Sequence, residues 1–111
     1  MGYLVPDFAA LRSLQKHRLK IAYGVDDDPD FVSREFSVLF RGGMTPLEAI
    51  QAATLRASEL LAMTGQIGTL QAGDYADVIA VQGDPLADIG FMENVVFVMK
   101  GGEILKTPAQ K

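Results

Sequence analysis

At 111 residues, with 49% hydrophobic and 22% charged side chains, the chain is large enough to bury a core and too apolar to remain disordered. A formal net charge of −4 leaves no basic face for phosphates, which excludes nucleic acid as a partner. The absence of cysteine excludes disulfides and thiolate metal sites and suits a cytoplasmic setting.

Apolar stretches such as Val95 to Met99 fall far short of the roughly 20 residues that cross a bilayer, so no membrane partner is expected. The first residues show neither a signal peptide nor a myristoylation signal, since Pro6 stands where Ser or Thr belongs. Arg12, Lys16, Arg18 and Lys20 cluster early, while residues 57 to 99 hold six acids and no Lys or Arg. Both stretches read as solvated surface.

Residues 7 to 18 place Phe8, Leu11 and Leu14 near helical spacing, with Arg12 and Lys16 four apart on another face, and predict an amphipathic helix. Residues 19 to 25 follow as a buried strand, ending in Gly24, the carboxylates Asp26, Asp27 and Asp28, and Pro29, which mark a loop. A second helix is expected over 31 to 42, with Val32, Phe36, Leu39 and Phe40 as its apolar stripe and Gly42-Gly43 as its stop.

A third helix is expected over 45 to 63. Thr45 at the N-cap, Pro46 at the first helical position and Glu48 at the third form a capping box, in which hydroxyl and carboxylate satisfy backbone N–H groups in both directions. Leu47, Ile50, Thr54, Ala57 and Leu61 continue one face, with a break indicated near Thr54 and an end at Gly65.

Beyond Gly65 the pattern changes to strands and turns. Strands are expected over 76 to 81, 94 to 99 and 103 to 106, with Lys100-Gly101-Gly102 as the hairpin turn between the last two. Asp84 to Asp88 reads as one helical turn. The boundaries divide the chain into a mainly helical part, 1 to 64, and a β part, 65 to 111.

Few residues carry chemistry. Asp26 is a loop carboxylate that would either cap the following helix or serve a site. Asp26, Asp28 and Asp30 match the first three positions of a calcium loop. Phe31 stands where that loop needs glycine and Ser37 where it needs a bidentate glutamate, so only weak, non-specific cation binding is expected. His17, the single histidine, sits between Lys16 and Arg18 on the polar side of its helix, without the further donors that a metal site requires. Ser33, Ser37 and Ser58 lack a nucleophile-elbow context. Gly65, Gly68 and Gly73 do not open a long helix after a strand, so they read as turns rather than a phosphate cradle.

Four motifs, in order, carry a resemblance: Lys20-Ile21-Ala22-Tyr23-Gly24-Val25-Asp26, Gly43-Met44-Thr45-Pro46-Leu47-Glu48-Ala49, the run from Gly65 to Asp77, and Gly83-Asp84-Pro85-Leu86. Together, spanning about residues 7 to 106, they resemble the C-terminal end of metal-dependent amidohydrolases of the imidazolonepropionase and Xaa-Pro dipeptidase-like group. The implied fold class is α/β. Helix 7 to 18, strand 19 to 25 and helices 31 to 42 and 45 to 63 would be the last strand-helix unit of a (β/α)8 barrel, followed by part of a small β-sandwich.

The resemblance places Asp26 at the end of the last barrel strand, as metal ligand and general base of the attacking water. Val25 replaces the family's usual threonine, and Asp27 its usual small residue. The family's metal-binding histidines are absent from this sequence. The resemblance therefore implies a parent enzyme that hydrolyses an amide, peptide or cyclic imide C–N bond with a divalent metal, zinc foremost, while the chain alone is expected to bind no cofactor and to be inactive. A strand without neighbours and uncovered helix faces predict self-association, as a homo-oligomer such as a dimer, or pairing with a longer amidohydrolase chain. A small interaction domain derived from such a tail is the alternative reading.

Overall fold

The structure, a computed structural model, describes residues 8–23 and 34–108. Four helices come first: α1 Phe8–Lys16, α2 Glu35–Arg41, α3 Pro46–Ala53 and α4 Leu55–Leu60. They are followed by β1 Val78–Val81, a short 3-10 helix Ile89–Glu93, β2 Val95–Lys100 and β3 Glu103–Lys106. The strands form an antiparallel sheet in the order β1-β2-β3. Among the described residues no helix is long and apolar enough to cross a membrane.

The helices begin and end for identifiable reasons. At α3 the expected capping box is present: Glu48 N–H donates to Thr45 Oγ1 at 3.2 Å, and Thr45 N–H donates to Glu48 Oε2 at 2.9 Å. The C-termini of α1, α2 and α4 share one device, in which a residue with positive φ lets two N–H groups fold back onto the last turn. At α2 this residue is Gly43, with φ of 106°, and the bonds run from Gly43 N–H to the Phe40 carbonyl and from Met44 N–H to that of Leu39, at 3.0 and 3.1 Å. Arg18 and Ala62 hold the corresponding position after α1 and α4, with φ of 55° and 56°.

Several expected boundaries are corrected. Helix 7 to 18 is shorter, since Arg18 has already turned left-handed. Helix 31 to 42 is seen from Glu35, residues 31 to 33 lying outside the described ones. The expected helix 45 to 63 is two helices, divided at the break that the sequence indicates near Thr54. Thr54, with φ −119° and ψ −83°, breaks it, and the turn at Ala62 rather than Gly65 terminates it.

Residues 19 to 23 belong to no strand, and the last two of the expected strand 19 to 25 lie outside the described residues. The physical reason is the missing partner: an extended segment becomes a strand only by pairing with another, and among the described residues this one bonds through its backbone to helices, Leu19 N–H to the Leu14 carbonyl of α1 at 3.1 Å and Tyr23 N–H to the Ala52 carbonyl of α3 at 2.8 Å. Strands 76 to 81 and 94 to 99 start two and one residues later than expected, and strand 103 to 106 matches its expected range. The 3-10 helix went unforeseen, because Ile89 to Glu93 carries no periodic stripe.

The core is small. Phe36, Leu39, Met44, Ala49, Ala52, Ile89 and Met92 are its buried apolar members, with Leu11, Ile21, Tyr23, Ile50, Ala53 and Val81 packed partly buried against it. The 3-10 helix joins the two halves, because Ile89 and Met92 reach from the β part into the helical part. α1 is held by a side-chain bond, Gln15 Nε2 donating to the Gly42 carbonyl at 2.7 Å.

Large apolar side chains also remain open, among them Leu60, Leu61, Leu70, Ile79 and Leu105. The stripe expected on α3 is displaced: Ala49 and Ala52 are the buried pair, while Leu47 faces solvent.

Candidate functional site

Asp26, Asp27, Asp28, Asp30, Phe31 and Ser33 lie outside the described residues, so the candidate catalytic carboxylate and most of the acidic loop are approached only from their flanks. On the N-terminal flank, Tyr23 stacks on Phe36 with ring centroids 5.1 Å apart and planes 16° from parallel. Its hydroxyl is shut from solvent and has no hydrogen-bond partner among the described residues. Burial, together with the nearby Glu35 carboxylate, pushes that hydroxyl up to about 12. Lys20, three residues earlier, pairs with Glu59 at 3.4 Å, and Glu59 also accepts from Arg56 at 2.8 Å. The segment leading to Asp26 is thus fastened to α2, α3 and α4 rather than to a sheet.

The other candidates have structural duties. His17 is exposed, with Nδ1 2.8 Å from the Ser13 carbonyl at the end of α1. Ser58 is buried and its hydroxyl donates to the Leu55 carbonyl at 2.8 Å. Ser37 lies within α2 and carries a hydroxyl where a calcium loop needs a bidentate carboxylate. Gly65, Gly68 and Gly73 all have positive φ, of 80°, 90° and 99°, consistent with turns.

Among the described residues no three His, Cys, Asp or Glu side chains come together to hold a metal. These residues do not fit a divalent metal site by themselves, and no catalytic step can be built on them alone.

The motif residues beyond Asp26 also prove structural. Asp77 Oδ1 accepts from Gly101 N–H at 2.8 Å and fastens the hairpin turn back to the start of β1. Asp84 Oδ1 accepts from Leu86 N–H at 2.9 Å, closing a tight turn. Gly83 has φ of 128°, and a side chain there would meet the Phe91 ring at 2.5 Å. The Thr69 hydroxyl donates to Asp74. Each of these contacts closes a turn or fixes a loop of the fold.

A trough of about 930 Å³ lies between the helices and the sheet. Ile50, Ala53, Ala57 and Leu61 form one wall, Ile79, Val98 and Leu105 the other, and Tyr23 and Phe36 also line it. Ile50, Thr54, Ala57 and Leu61, read in the sequence as a core-facing stripe, line this trough. The sequence did carry a signal for it: Val78 to Val81 and Val95 to Met99 are apolar on both strand faces, which suits a sheet covered twice. A second hollow of about 560 Å³, lined by polar residues including Arg18, Lys20, Glu48 and Arg56, lies between the end of α1 and α3.

A fold of four short helices and a three-stranded sheet, with motif residues at its turns, defines a class rather than an individual protein. Residues 2–105 match the model of the amidohydrolase family, and the chain belongs to that family.

Among its relatives is ochratoxinase of Aspergillus niger, 37% identical over 96% of this chain and 26% of the relative's length. Imidazolonepropionase of Pseudomonas fluorescens is 34% identical over 73% of the chain and 22% of its own length. A crystal structure of a Xaa-Pro dipeptidase with methionine in its active site superposes with a TM-score of 0.85, at 33% identity, over 89% of this chain and 25% of that one. The chain therefore spans about a quarter of the length of the relatives it matches, and it corresponds to the C-terminal part of the family.

Proposed function

We propose that the chain is the C-terminal quarter of an enzyme that hydrolyses an amide-type C–N bond with metal-activated water, and that alone it does not turn over. The observation that carries this reading is the 37% identity to ochratoxinase across 96% of the chain but only 26% of the relative. The chain supplies the end of the fold, while the histidines that would hold a metal, zinc in the first instance, must come from elsewhere. With one histidine in the sequence, exposed in the turn after α1, it lacks the several histidines such a site needs.

In the whole enzyme Asp26 is proposed to contact the metal and to act as general base toward the attacking water. A carboxylate near pKa 4 is a poor base toward free water at neutral pH, so the role requires a metal that makes the water more acidic. The lack of cysteine supports a cytoplasmic setting for this chemistry.

The test replaces the C-terminal quarter of A. niger ochratoxinase with this chain. The chimera is expected to hydrolyse an amide substrate in a metal-dependent way, and Asp26→Asn to lower kcat by roughly 10²- to 10⁴-fold. A folded, metal-loaded chimera whose Asp26→Asn variant retains full activity would contradict the assigned role.

A further inference from the structure

We propose that the apolar trough between the helices and the sheet is a docking seat for the rest of an amidohydrolase fold, and that it captures this remainder even from a separate polypeptide. The proposal rests on the family reading above and adds a surface and a partner to it.

The shape argues first. The trough, about 930 Å³, has apolar walls on both sides, and its rims carry open side chains: Leu61 is 61% exposed, Ile79 49% and Leu105 59%. Those residues gain by leaving water only if an apolar body enters between helices and sheet. A small solute would leave the rims wet, whereas a polypeptide layer would cover them.

The edges argue for a polypeptide as well. Among the described residues β1 and β3 each pair on one side only, and β1 is Val-Ile-Ala-Val with no charge to discourage a neighbour. Lys100, in the trough lining across from Asp77, offers a cationic anchor.

The choice of partner follows from the comparisons and from symmetry. A. niger ochratoxinase has the same quarter, with a TM-score of 0.80 over 94% of this chain and 25% of its own. In such a relative this quarter coexists with the other three, which are the bodies available to fill the hollow. A second copy of this chain fits poorly, since a two-fold pairing would set trough against trough and leave both concave.

The experiment co-expresses the tagged chain with a second polypeptide comprising the remaining three quarters of A. niger ochratoxinase. The expected result is an equimolar complex that survives purification. Leu61→Asp combined with Ile79→Asp should lower recovery of the partner at least tenfold, and Leu105→Asp should also lower it. Leu86→Asp, exposed but outside the trough, should leave recovery unchanged, with amide NMR spectra confirming that every variant is folded.

Absence of a complex, equal loss in the Leu86→Asp control, or self-association of the chain that the trough variants abolish would each overturn the proposal. A complex that forms but hydrolyses nothing once metal is supplied would count against the catalytic reading and leave docking intact. An active fused chimera without any complex between separate chains would do the reverse.

Discussion

Ala62 occupies the left-handed turn that ends α4, with φ of 56°, although alanine carries a Cβ that this conformation crowds. Gly43 has the same duty after α2 without that cost. Ala62→Gly is therefore expected to raise stability by about 0.5–1 kcal/mol, measured as a higher urea midpoint with unchanged slope. Gly83→Ala should move the other way by roughly 2 kcal/mol, because both its φ of 128° and the Phe91 ring at 2.5 Å oppose a side chain.

Tyr23 is informative about pH. Its native hydroxyl keeps the proton up to about 12, whereas an unfolded tyrosine releases it near 10.0. The folded state thus binds the proton more tightly, and the associated stability is complete below pH 10, then falls as pH rises toward 12. Tyr23→Phe should remove that decline and leave the chain at least as stable at neutral pH, because it deletes a buried hydroxyl that has no partner among the described residues. Denaturant titrations of both proteins between pH 9 and 12 would show it.

At the scale of elements, local signals were legible where the cause was local. The capping box needs only Thr45, Pro46 and Glu48, and it formed as read. Thr45→Ala should cost about 1 kcal/mol, read from thermal unfolding. The hairpin turn was legible for the same reason, since Gly101 and Gly102 take φ of 57° and 85° between β2 and β3.

Residues 19 to 23 failed as a strand because a strand is a relation between segments, and composition alone does not supply the neighbour. The end of α4 failed because the turn uses Ala62, where a glycine was the expected marker. Of the candidate site, His17 and Ser58 each contact a main-chain carbonyl of their own helical segment, which their lack of a catalytic context in the sequence did not specify. The trough was not foreseen as a site, because a helical stripe looks the same whether it faces a core or an empty hollow. Here Ile50, Ala57 and Leu61 face the hollow.

For the molecule as a whole, the motifs that identify the family mostly hold turns and caps together. Asp77, Gly83, Asp84 and the Thr45-Glu48 pair each close a local contact. That division of labour explains how the family can be plain in a chain whose described residues bring no metal-binding cluster together. It also explains why core and uncovered surface coexist: a few buried side chains join helices to sheet, while the trough between them stays open.

The central claim is that this quarter contributes structure and one carboxylate to a reaction it cannot perform alone. The most direct measurement is hydrolysis of an amide substrate by the purified 111-residue chain with zinc supplied, beside the chimera under the same conditions. The account predicts turnover by the chimera and none above background by the chain. Zinc-dependent turnover by the chain, abolished by Asp26→Asn, would contradict it.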